Sequence, residues 1–175
     1  MPLAADQQVV STTAGCRSLF RDPYDTWTPN QLLHYFQTRT SIHYFPVVDT
    51  VETAREKIEN ILNNRFEFNQ ESHAISSPIR WTVNPSHDRE WLILLHKFYY
   101  AVGLGMAYHE TKAPRYVEKW VELTSSWIDA VPLEFLPSDV AGRRIQNWIF
   151  AHYYFVTLHQ STGIGSEFYV RFLES

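Results

Sequence analysis

WTVNPSHDREWLILLHKFYYAVGLGMAYHE, residues 81–110, holds the change of pattern that decides the fold. Its first part reads as a turn: Asn84-Pro85 favours an extended or turned backbone, and the polar run His87-Asp88-Arg89-Glu90 comes next. From Trp91 the period changes. Trp91, Leu94, Leu95, Phe98, Val102 and Met106 recur at the spacing of one helix face. Ser86 or Asp88 is placed to cap this helix, and Glu90 in its first turn suits the helix dipole. The helix is expected to reach about Glu110. Gly103 and Gly105 either weaken it or let another helix approach closely.

Helical patterns continue on both sides. Toward the N-terminus, Thr28-Pro29 reads as N-cap and first residue of a helix carrying Leu32, Leu33, Tyr35 and Phe36. Thr40 to Pro46 is expected to be extended. Asp49 or Thr50 caps a second helix with Val51, Ala54, Ile58, Ile61 and Leu62 on one face, ended by Asn63-Asn64. Arg65-Phe66-Glu67-Phe68 alternates as a short strand or extended arm, and the stretch from Asn69 to Arg80 reads as loop. Toward the C-terminus, Pro114 to Ala130 places Tyr116, Val117, Trp120, Leu123 and Trp127 on one stripe. A helix from Pro137-Ser138 to about Gln160 carries Ile145, Trp148, Ile149, Phe155 and Val156. Ser166 caps a last helix, Glu167 to Leu173, whose Phe168, Phe172 and Leu173 want a partner. The expectation is an all-α chain: a loose segment over 1–26, then a helical domain over 27–175 whose long helices are antiparallel neighbours.

Composition narrows the function. The 175 residues suffice for one domain with a sizeable core. A net charge of −4, a pI near 6.0 and scattered cations argue against a nucleic-acid partner. The chain has 6 Trp, 10 Tyr and 11 Phe, and every Trp and Tyr brings a polar group that must find a partner. Carbohydrate clefts use such rings to stack on sugars. Cys16 is the single cysteine, so neither an internal disulfide nor a cysteine-rich zinc site is available. No apolar run approaches the ~20 residues of a membrane span.

Histidine spacing gives no metal motif, and no cofactor is expected. His152 and His159, seven apart, should share the apolar face of their helix as core or cleft histidines. Gly103-Leu104-Gly105 lies inside a helical pattern, so it is no phosphate loop. The opening motif has two readings. In one it is only a helix start. In the other, Arg80, Trp81, Asn84, Arg89 and Glu90 converge where exposed helix N–H groups attract anions, an arginine grips a carboxylate or sulfate, and Trp81 offers a stacking face. That combination suits an acidic sugar.

A family resemblance then weighs in. Trp81, Asn84-Pro85, Glu90-Trp91, Leu95-His96-Lys97-Phe98, Ala107-Tyr108, Tyr116, Trp120 and Trp127-Ile128 resemble the N-terminal helical domain of the heparinase II/III polysaccharide lyases. Arg144, Ile145, Asn147 and Trp148 resemble that family's next helix, and Phe66-Glu67-Phe68 its preceding arm. The likeness implies an incomplete α/α toroid with an extended N-terminal arm, followed by a C-terminal β-sandwich domain. It implies β-elimination on uronate-containing polysaccharide: an Asn or His neutralises the sugar carboxylate, and Tyr or His exchanges the proton. In the family those residues lie on later helices, so none is carried over here, and the expected domain is truncated at its C-terminus. Trp81, Asn84, Arg89, Glu90 and Trp91 are expected to bind substrate or shape the cleft. The family implies export to the periplasm or beyond, although the first residues show no signal peptide. The alternative is a non-catalytic helical module that binds glycan or another partner.

Overall fold

Thr28 and Pro29 open the first helix of the computed structural model, which describes residues 19–175. The bulk of the expected loose segment, including Cys16, lies outside those residues. What is described of it is packed: Tyr24 sits edge-on to Trp27 at 5.1 Å and shares a hydroxyl hydrogen bond with Tyr35. Helix α1 (Pro29–Thr38) starts with a capping box, in which the Gln31 amide donates to Thr28 Oγ1 and the Thr28 amide donates to Gln31 Oε1.

The second helix starts later than expected. Asp49 spends its carboxylate on a turn, accepting from the Val51 and Glu52 amides at 3.0 Å each, so α2 runs only Arg55–Ile61. Val51 is therefore 64% exposed rather than on the core face. Asn64 ends the element with φ of 55°. Strands β1 (Arg65–Phe68) and β2 (Glu71–Ala74) form an antiparallel hairpin in which Phe68 faces Glu71. Its two turn residues, Asn69 and Gln70, both have positive φ, the backbone that matches strand twist in a two-residue hairpin. Phe66 and Phe68 point into the core.

The expected helix over the deciding stretch forms, but in two pieces: α3 (Arg89–Lys97) and α4 (Tyr99–Thr111), separated by Phe98 at φ 58°. A bulky residue in the left-handed region carries strain, so the surroundings must hold it there. They do. The Phe98 ring is fully buried, stacked on Trp81 at 5.6 Å and edge-on to Trp148 at 5.4 Å. The freed carbonyls of α3 also find donors, Tyr100 hydroxyl to Leu95 oxygen and Asn147 Nδ2 to Lys97 oxygen.

Helix α4 is the centre of the molecule, packed by α2, α5 (Pro114–Ala130) and α6 (Ser138–His152). Both glycines serve close approach. A Cβ on Gly103 would lie 2.3 Å from Ile58 Cδ1, and one on Gly105 would lie 2.9 Å from Tyr154 Cβ. Helix α5 buries the expected stripe of Tyr116, Val117, Trp120, Leu123 and Trp127.

Helix α6 departs from expectation. Its inner face is Val140, Arg144, Asn147, Trp148 and Ala151, while Ile145 and Ile149 are 46% and 43% exposed. It passes into a π-helical turn, Tyr153–Leu158, whose wider winding rotates the later side chains out of phase with α6. His152 and His159 consequently part company. His152 Nε2 meets the Tyr169 hydroxyl at 2.8 Å, and His159 Nε2 meets His109 Nδ1 at 2.7 Å. Helix α7 (Ser166–Glu174) comes last, capped by Gly165 rather than Ser166. Its Phe168 and Phe172, which wanted a partner in the sequence, both pack edge-on to Trp120. No helix of the described residues is long and apolar enough to cross a membrane. The described chain is all-α apart from the one hairpin.

Candidate functional site

The hairpin, the loop over 75–88 and the start of α3 meet in one polar lip, and most of its side chains hold one another. Asp88 is the α3 cap, its Oδ1 accepting from the Glu90 amide at 2.9 Å and its Oδ2 from Asn69 Nδ2 at 2.9 Å. Those bonds hold its carboxyl below the usual range, with the Asn69 bond as the larger cause. Ser86 donates to Glu71 Oε2 at 2.6 Å and accepts from the Asp88 amide at 2.8 Å. Glu71 also meets His73 Nε2 at 2.6 Å, and its carboxyl is lowered by Ser86 first and His73 second. Glu90 accepts from Lys97 Nζ at 3.1 Å. Each of these three carboxylates is thus engaged inside the fold.

Two cations of the lip are not. Arg80 and Arg89 are exposed, and no described carboxylate lies within salt-bridge distance of either. Arg80 lines a cavity of ≈ 160 Å³ together with Ala74, Ile75, Ser76, Val83 and Pro85. Val83 is 47% exposed, so the cavity mouth has an apolar edge. The lining joins apolar side chains to an arginine with no described carboxylate partner, a combination able to receive an anionic group beside an apolar surface.

The five residues singled out from sequence divide in structure. Arg89 and Glu90 are exposed on the lip, within the first turn of α3. Asn84 is half-buried and both ends of its amide are used locally, Nδ2 to Asp88 oxygen and Oδ1 from the Ser86 amide. It shapes the loop. Trp81 is 1% exposed and offers no stacking face, contrary to expectation. Its ring lies on Phe98, and its Nε1 donates to Ser126 Oγ at 3.0 Å. Trp91 is fully buried beneath the hairpin, Nε1 donating to Glu71 oxygen at 3.0 Å. The two indoles carry the lip from below. The hairpin residues Asn69, Glu71 and His73 went unread in the sequence, because Glu-Ser-His-Ala has no β-branched residue to announce a strand. The available signal was Asn69, a residue that tolerates the positive φ a two-residue turn requires.

Comparison with known proteins gives this geometry a family. The family model described as "Heparinase II/III N-terminus" matches residues 21–175. Two solved structures of heparan sulfate lyase HepC from Pedobacter heparinus are similar in fold. One, of a mutant, has 20% identity and a TM-score of 0.66 over 83% of this chain and 26% of its own. The other has 21% identity and a TM-score of 0.64 over 83% of this chain and 25% of its own. The chain therefore spans about a quarter of the length of the solved structures it matches. No curated protein sequence matches it.

Proposed function

Because this chain belongs to the heparinase II/III family as its N-terminal helical domain, we propose that it forms one wall of the cleft in which a polysaccharide lyase holds an acidic, uronate-containing chain. The helices supply part of an incomplete α/α toroid, and the lip faces the polymer. Arg80 and Arg89 make charge-assisted contacts to carboxylate or sulfate groups. Trp81, Asn84 and Trp91 hold the lip in shape, and Glu90 positions Lys97 beside it. The observation that carries the reading is the mismatch on the lip: its acids are bonded internally, while its two arginines have no described acid partner.

Heparan sulfate and a polyuronate, titrated against the protein at two ionic strengths, test it. Binding that weakens with salt and falls about tenfold in Arg80→Ala/Arg89→Ala supports the lip as the contact surface. Binding unaffected by the double substitution overturns it. Ultraviolet absorbance of a conjugated C4–C5 double bond in the products separates a lyase from a module that only binds.

A further inference from the structure

The lip leaves one buried cation unexplained. Arg144, on the inner face of α6, is 5% exposed. Its guanidinium carbon lies 3.9 Å above the Trp127 ring and 5.3 Å from that of Trp148. Nε is sealed from solvent with no hydrogen-bond partner, and so is Trp148 Nε1, one helical turn further on. Among the described residues no carboxylate pairs with this guanidinium. The charged or titratable groups that bear on it are His96, which is neutral, and the Tyr100 phenol. Burial pushes Arg144 down to about 10, which still leaves it charged at neutral pH.

A guanidinium withdrawn from water is costly unless an anion compensates it. Aromatic faces recover part of that, because cation–π contacts are worth more when desolvated. They leave the Nε–H unanswered. The surroundings hold donors in excess: Arg144 Nε and Trp148 Nε1 lack acceptors, while Trp127 Nε1 is already spent on His96. The complement of a planar, charged donor set is an acceptor-only oxyanion.

We propose that Arg144, clamped between Trp127 and Trp148, is an oxyanion-binding residue that receives a carboxylate or sulfate group of an acidic saccharide. The inference deepens the cleft reading and rests on it for the saccharide source of the anion. The planar fork takes two oxygens side by side, and the indoles hold its plane. A lysine would supply charge without that geometry.

Sodium glucuronate, sodium sulfate, an acidic heparan oligosaccharide and neutral glucose serve as probes, read by melting temperature and by intrinsic tryptophan fluorescence. In the unaltered protein the acidic saccharides raise the melting temperature saturably and perturb the fluorescence, while glucose does neither. Arg144→Lys raises the half-saturating concentration about tenfold or more. Arg144→Met abolishes the response, yet melts in plain buffer no lower than the unaltered protein, because an uncompensated buried charge has gone. A response to sulfate alone, absent with glucuronate and oligosaccharide, means an adventitious ion only and overturns the proposal. So does the absence of any response, or a full response in Arg144→Lys together with a lowered melting temperature in Arg144→Met. A response lost in Arg144→Met and kept in Arg80→Ala/Arg89→Ala leaves the inference standing while the lip fails. The reverse pattern leaves the lip standing and removes the inference.

Discussion

Trp127 donates its indole N–H to His96 Nδ1 at 2.9 Å, and that single bond decides the chemistry of the histidine. An indole nitrogen can only donate, so Nδ1 must be the acceptor. The ring proton sits on Nε2, 3.0 Å from the Trp81 carbonyl oxygen, which it meets as donor. His96 is fully buried, neutral and fixed in one tautomer.

The stability of the domain should depend on pH through this residue. Burial, with Arg144 as a smaller cause, pushes His96 down to about 4 from 6.5. The folded value lies below the unfolded one, so the contribution is complete above about pH 6.5 and is lost progressively as pH falls toward 4. The amount at stake is about 3 kcal/mol. Urea midpoints between pH 7 and pH 4.5 read its sum with His152 and His159, which burial lowers in the same direction, and nitrogen NMR of the His96 ring isolates its share, reporting the Nε2–H tautomer throughout the upper part of that range. A cationic or Nδ1–H ring at neutral pH would contradict the assignment.

Trp81→Ala should cost about 3–5 kcal/mol of folding stability, as for other large core truncations. A residue serving as an exposed stacking face for a sugar would instead leave the fold intact when truncated. Chemical denaturation of the variant decides between them, with polysaccharide affinity expressed per folded molecule as the control.

Gly103→Ala should destabilise by about 1–3 kcal/mol through overpacking, despite alanine's better helix propensity. The new methyl meets Ile58 Cδ1 at 2.3 Å and Cγ1 at 2.7 Å. Against Ile58→Ala the same substitution should cost markedly less. A double-mutant cycle exposes that coupling; additive effects would mean that Ile58 is not what α4 meets.

Tyr116→Phe should cost about 1–3 kcal/mol by stranding the groups around the phenol. Its hydroxyl donates to Glu59 at 2.5 Å and accepts from Arg55 and Arg115 at 2.9 Å each. That one oxygen ties α2 to α5, and it is the first cause of the lowered Glu59 carboxyl. The Glu59 carboxyl should move up in the variant, which NMR titration tracks.

Helix existence and type are legible because apolar periodicity is a property of the chain itself: α1 and α5 are where the spacing puts them, and Trp91 and Leu95 face the core as their stripe predicts, up to the break at Phe98. What escaped has a common cause in tertiary context. The Phe98 break depends on donors from Tyr100 and Asn147, and the latter lies 50 residues from the Lys97 carbonyl it meets. The π turn after His152 obeys no periodic signal, so the shared face assigned to the two histidines dissolved. Arg89 and Glu90 sit in the first turn of α3, where the Asp88 cap alone puts them. Trp81 resembles a ligand in the sequence because an aromatic residue in a polar loop shows no partner for its indole N–H there, and Ser126 is 45 residues distant.

The two glycines of α4 also set how the molecule breathes. With helices pressed against it from several directions and both of its bare backbone positions occupied by neighbours, α4 is closed to water over Tyr100–Gly105, and only its last turn, His109 to Thr111, stands in solvent. The amide protons of that closed part should trade with deuterium only when the entire domain opens, whereas those of the stretch over 39–54 trade through small local excursions. The slowest protons in this chain therefore mark a helix whose sequence, interrupted twice by glycine, would by propensity alone be expected to melt first.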